Sequence, residues 1–154
     1  MRNRTLRLAT ACYLGAVGWV TLGPQPLDDR GQGILRSILA LLTGHPLTNW
    51  ITYDVVEFSA NVAMFVPIGV LFLLLAGRRR WWLALAGGIG ITCAIEVTQL
   101  FLPGRFADVR DVLANSLGTL LGVLATVLIV ALLDRRMRPS SAPQSPIPRS
   151  DAAH

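Results

Sequence analysis

The chain has 154 residues, 53% of them hydrophobic and only 15% charged, with a formal net charge of +5. Its mean hydropathy is +0.53, and soluble domains carry about 25% charged residues, so the composition is that of a membrane protein. The basic balance does not point to nucleic acid, because there is no lysine and the arginines cluster beside the apolar runs.

Four runs are long and apolar enough to span, at about residues 6–22, 55–76, 81–102 and 112–133. Each is near the ~20 residues that cross ~30 Å of hydrocarbon. The expected fold class is therefore all-α: a polytopic membrane protein with four transmembrane helices arranged as two parallel-repeat hairpins. One membrane domain over 1–138 and a Pro- and Ser-rich, disordered cytoplasmic tail over 139–154 complete the expected organisation.

The first span follows Arg2, Arg4 and Arg7, as a signal peptide's would, but no small-x-small cleavage site follows it, so a retained helix is expected. Pro24 and Pro26 stop it, since proline lacks the amide donor. In the long loop that follows, residues 34–42 are apolar with Arg36 and Ser37 on their polar side. They are too short to span and predict a short interfacial helix in the first outer loop. His45 reads as a surface hydrogen-bonding residue, and Trp50 and Tyr53 stand where interface aromatics belong. The second span contains Pro67 and Gly69, a pair that can kink a membrane helix. Arg78, Arg79 and Arg80 turn the chain into the third span, with Trp81 and Trp82 anchoring its start, and Pro103-Gly104 ends it. The fourth carries Gly118 and Gly122, a G-x-x-x-G spacing that permits close helix approach and leaves a homo-oligomer open. Cys12 and Cys93 fall within spans and read as small packing residues, with no metal motif.

If the chain crosses four times, Arg2, Arg4, Arg7, Arg78–Arg80 and Arg135, Arg136, Arg138 all fall on one side. That is the positive-inside pattern, placing both termini in the cytoplasm. The opposite side collects Asp54, Glu57, Asp108 and Asp111.

Those acids belong to a repeat. Asp54-Val-Val-Glu57-Phe-Ser-Ala60-Asn61 recurs as Asp108-Val-Arg-Asp111-Val-Leu-Ala114-Asn115, each copy opening an inward-running span. Spacings of three and four return side chains to one helix face. Two parallel repeats would bring both polar faces together near the outer surface. Glu96 and Gln99 lie at a similar depth on the third span, with Arg105 in the loop after it.

Each piece also has a structural reading. Asp54 and Asp108 stand where acids favour a helix N-terminus, Asn61 and Asn115 could only brace helices, and Arg105 could only neutralise a neighbouring acid. Glu96 is the strongest functional candidate, because an intramembrane carboxylate costs several kcal/mol if charged and unpaired. The candidate ligand-binding set is Glu57, Asn61, Glu96, Gln99, Arg105, Asp108, Asp111 and Asn115, with Phe65, Pro67, Gly69, Gly118 and Gly122 as structural positions.

The run Asn61-Val-Ala-Met-Phe65-Val-Pro67-Ile-Gly69 resembles the N-x-x-x-F-x-P-x-G signature of the VanZ-like membrane protein family. Glu96-Val-Thr-Gln99 resembles its E-x-x-Q step. Arg105, Asp108, Asp111, Asn115, Gly118 and Gly122 resemble its closing R-x-x-D-x-x-D-x-x-x-N-x-x-G-x-x-x-G run. The likeness covers residues 54–133 and departs at none of these positions. It implies a small multi-pass protein of the bacterial cytoplasmic membrane, in a family whose namesake is associated with resistance to the glycopeptide teicoplanin. It names no reaction.

The leading expectation is a non-enzymatic envelope protein whose outer-leaflet pocket binds a lipid headgroup, a cell-wall precursor or a glycopeptide. The carboxylates would accept from hydroxyl or ammonium groups, the amides would bond in both senses, and Arg105 would pair with phosphate or carboxylate. Membrane lipids are the expected partners, with no cofactor, no metal and no nucleic acid. One alternative is an enzyme modifying a lipid headgroup, with Glu96 or Asp111 as general acid or base or with the carboxylates holding a divalent cation. It lacks a nucleophile motif, a histidine pair or a phosphatase signature. The other is a small lipid transporter or flippase.

Overall fold

The computed structural model describes residues 2–23, 50–103 and 107–137. The expected interfacial helix at 34–42 and the tail lie outside the described residues. Four α-helices account for the described fold: α1 (Arg2–Leu22), α2 (Tyr53–Ala76), α3 (Trp81–Gln99) and α4 (Val109–Met137). All four are long and apolar enough to cross a membrane, and no strand occurs among the described residues.

Local chemistry sets the ends. Thr52 caps α2, its hydroxyl accepting from the Val55 amide at 3.4 Å. Asp108 does the same for α4, its carboxylate accepting from the Arg110 amide at 2.8 Å. Between α2 and α3 the chain turns at Gly77, whose φ of 81° suits glycine, and whose amide donates to the Leu73 carbonyl at 2.8 Å. A single 3₁₀ turn, Arg78–Arg80, leads into α3. The apolar run of α3 continues to Leu102, but the α-helix stops at Gln99. The Phe101 and Leu102 amides donate to the Thr98 and Gln99 carbonyls instead. This tightened last turn accommodates Pro103, which disfavours α-geometry in the residue before it. Pro67 lies inside α2 without interrupting it.

The relative directions follow from the contacts. Gly118 lies against the Val62 carbonyl, Gly122 against Val66, and Gly69 against Thr119, so α2 and α4 advance together and are parallel. Thr92 meets Asn115 while Gly88 meets Thr119, so α3 is antiparallel to α4. Gln99 reaches Thr21, which sets the ends of α1 and α3 side by side. The helices thus form the two parallel-repeat hairpins that the sequence pattern calls for.

Between helices in a membrane there is no hydrophobic driving force, because lipid is as apolar as leucine, so close packing carries the association. A Cβ on Gly69, Gly118 or Gly122 would run into a main-chain carbonyl of the facing helix. Gly118 and Gly122 therefore serve the α2–α4 contact within the chain. Phe65 and Ile68 of α2 are fully buried with Val17 and Ile95, and Leu73 packs with Ala84 and Val123. Trp19, Leu117, Leu124, Leu128 and Ile129 are exposed and form the outer apolar surface.

Candidate functional site

The bundle has two chemically opposite ends. At one, Arg4, Arg7, Arg78, Arg79, Arg80, Arg135 and Arg136 are exposed, and Arg78 pairs with Asp134 at 2.8 Å. At the other, the parallel starts of α2 and α4 bring the two copies of the acidic repeat together. Asp54, Glu57 and Phe58 from α2 and Asp108, Arg110 and Asp111 from the start of α4 line one shallow cleft. It encloses about 10 Å³, room for roughly one water molecule.

Among the described residues, four carboxylates share this cleft with one guanidinium. Arg110 lies 3.5 Å from Asp54, with the two side chains 52% and 65% exposed. An ion pair so open to solvent contributes at most about 1 kcal/mol. Glu57 is exposed, and its carboxylate accepts no hydrogen bond from a described residue. Asp111 is half-buried, and its Oδ1 accepts from Asn61 Nδ2 at 2.7 Å. Asn61 thus stands directly behind the cleft, joining the two repeats across the α2–α4 contact.

Glu96 is 7% exposed, and its Oε2 accepts from the Asp108 backbone amide at 2.8 Å. This bond runs from the last turn of α3 to the residue that caps α4. Glu96 therefore ties the last turn of α3 to the start of α4, beside the cleft.

Gln99 and Asn115 turn away from the cleft toward neighbouring helices. Gln99 Nε2 donates to the Thr21 carbonyl at 3.1 Å, tying α3 to α1. Asn115 Nδ2 donates to Thr92 Oγ1 at 2.9 Å in the buried interior. The side-chain oxygens of both amides are buried without a hydrogen-bond partner among the described residues. Arg105 lies outside the described residues. Phe65 and Gly69 are buried in the helix contacts, with Pro67 half-buried between them.

The expected pocket set is thus divided. Glu57, Asp108 and Asp111 line the cleft, Asn61 and Glu96 support it, and Gln99 and Asn115 brace the bundle. Asp54, Arg110 and Phe58 line the cleft without having been in that set. The repeat itself signalled Asp54, and Arg110 stood between two acids of the motif. Thr92 carried no signal, because a hydroxyl in an apolar helix ordinarily bonds back to its own backbone. Among the described residues, no group of three or more His, Cys, Asp or Glu side chains is arranged to hold a metal ion.

The VanZ/LLP1 family model matches residues 10–130. The chain belongs to the VanZ/LLP1 family. The match takes in most of α1, all of α2 and α3, and most of α4, so the acidic end and its supports lie within the VanZ-like region. No curated protein and no solved structure matches the chain. With four spanning helices, this is a VanZ-like multi-pass membrane protein.

Proposed function

We propose that this VanZ-like protein lies in the bacterial cytoplasmic membrane with both termini inside, and that its acidic end binds a polar group at the outer leaflet. The observation that carries the reading is the convergence of Asp54, Glu57, Asp108 and Asp111 on one cleft with, among the described residues, one guanidinium, Arg110. The surplus of carboxylates favours a ligand bearing ammonium or hydroxyl donors. The small volume favours an exposed edge of a larger molecule, such as a lipid headgroup or lipid-linked cell-wall precursor, over an engulfed ligand. Glu57 has acceptor capacity free among the described residues, and Asp111, placed by Asn61, is the second contact. The segregation of arginines to the opposite end supports the orientation.

Teicoplanin tolerance is the physiological readout that this family membership suggests. A deletion strain is complemented with wild type, Glu57→Gln or Asp111→Asn, and membrane abundance is checked by blotting. Wild type restores tolerance and the variants do not. Equal tolerance at equal abundance would sink the reading. Lipid analysis of the deletion strain separates binding from turnover, since an enzyme's loss leaves an accumulated substrate. In a cysteine-free background, Thr52→Cys should react with an impermeant thiol reagent from outside, and Arg79→Cys only after permeabilisation.

A further inference from the structure

At the end opposite the cleft, the turn Arg78–Arg80 and the last turn of α4 are bridged by the Arg78–Asp134 ion pair at 2.8 Å, about half exposed to solvent. Asp134 is the only carboxylate at that end among the described residues, and this bond occupies it. Arg79, Arg80, Arg135 and Arg136 are left exposed, with no ion pair to a described residue. They come from two chain segments that this ion pair bridges. Trp81 and Trp82 follow the turn directly and are 51% and 56% exposed. Such amphipathic rings sit at headgroup level.

We propose that this rim is a binding site for an anionic phospholipid, with guanidinium groups from the turn and from α4 flanking its phosphodiester and the two tryptophans seated beside its glycerol region. Guanidinium forks match phosphate oxygens in a bidentate manner that an ammonium cannot reproduce. A juxtamembrane arginine contributes on its own through the surface potential. The proposal adds geometry: one pair of cations from the turn and one from the end of α4, on segments that the Arg78–Asp134 ion pair bridges. It does not depend on the acidic cleft.

The test uses the full-length protein in phosphatidylcholine-containing micelles, titrated with phosphatidylglycerol while thermal unfolding is followed. Wild type should gain melting temperature along a saturating curve. Arg79→Gln/Arg80→Gln and Arg135→Gln/Arg136→Gln should each shift that curve to higher lipid on the order of tenfold. Arg4→Gln/Arg7→Gln removes equal charge from the same end, on α1, and should leave the curve close to wild type. An equal shift in all three, or a gain that never saturates, would show diffuse surface attraction and overturn the site. Because a glutamine pair can disturb insertion, Arg79→Lys/Arg80→Lys is measured beside it. This variant keeps the charge and loses the forks, so it should still bind more weakly, and wild-type behaviour would also overturn the proposal.

Discussion

Asn61 and Asp111 are joined side chain to side chain at 2.7 Å, the amide of one acidic repeat donating to the carboxylate of the other. The bond lies where α2 and α4 run parallel, immediately behind the cleft. Asn61→Ala should cost about 1 kcal/mol, the usual worth of a side-chain bond between membrane helices. Asp111→Asn retains an oxygen acceptor for Asn61 and should unfold within about 1 kcal/mol of wild type. Unfolding by titration of denaturing detergent in mixed micelles measures both. A large loss for Asp111→Asn would mean that the charge itself holds the helices.

The α2–α4 contact admits no side chain at its glycines. Gly69→Ala, Gly118→Ala and Gly122→Ala each drive a methyl group into a main-chain carbonyl, and backbone cannot swing aside. Each should cost about 1–3 kcal/mol or more. Gly15→Ala and Gly90→Ala meet open space and should be neutral or stabilising by up to about 1 kcal/mol, as alanine is the better helix former. The same detergent titration, run on all five, checks the contrast.

Glu96 can be separated into its shape and its charge. Glu96→Gln keeps an oxygen that can accept from the Asp108 amide, whereas Glu96→Ala removes it. Hydrogen exchange at Asp108 should accelerate roughly tenfold to a hundredfold in Glu96→Ala, since a donor left without its partner costs about 1–3 kcal/mol. In Glu96→Gln the change should stay within about tenfold. Exchange unaltered in both variants would remove Glu96 from its supporting role.

Asn115 and Thr92 are both buried and bonded at 2.9 Å. Thr92→Val removes the acceptor and strands the Asn115 amide. Asn115→Leu removes the donor together with an oxygen that has no partner among the described residues. The double-mutant cycle should give a coupling of about 1 kcal/mol. A coupling near zero would show that the two groups find other partners.

Hydropathy makes the four helices legible, because span length and apolar content are properties of each segment alone. The repeat makes the parallel α2–α4 pair legible, because equal polar patterns at equal depth imply equal direction. Partner choice is another matter. A two-fold repeat pairs Asn61 with Asp111 and, by the same logic, Asn115 with Glu57. Instead, Asn115 bonds to Thr92 of α3, and a pattern shared by two helices carries no information about a third. Gln99 reads as a pocket residue beside Glu96, yet it donates to a main-chain carbonyl on α1. Such acceptors exist at every residue and leave no mark in the sequence.

That last property reaches beyond Gln99. Tyr13 Oη donates to the Met64 carbonyl at 2.8 Å, Gln99 Nε2 to the Thr21 carbonyl, and the close glycines rest on the carbonyls of Thr119, Val62 and Val66. In the two hydrogen bonds one partner is recognised by its side chain and the other only by its backbone; at the glycines it is the missing side chain that fits the facing backbone. Tolerance to substitution should therefore be one-sided, strict at Tyr13 and Gln99 and loose at Thr21. Paired changes between homologues would not reveal these junctions, so correlated variation should under-report how α1 is fastened to the bundle.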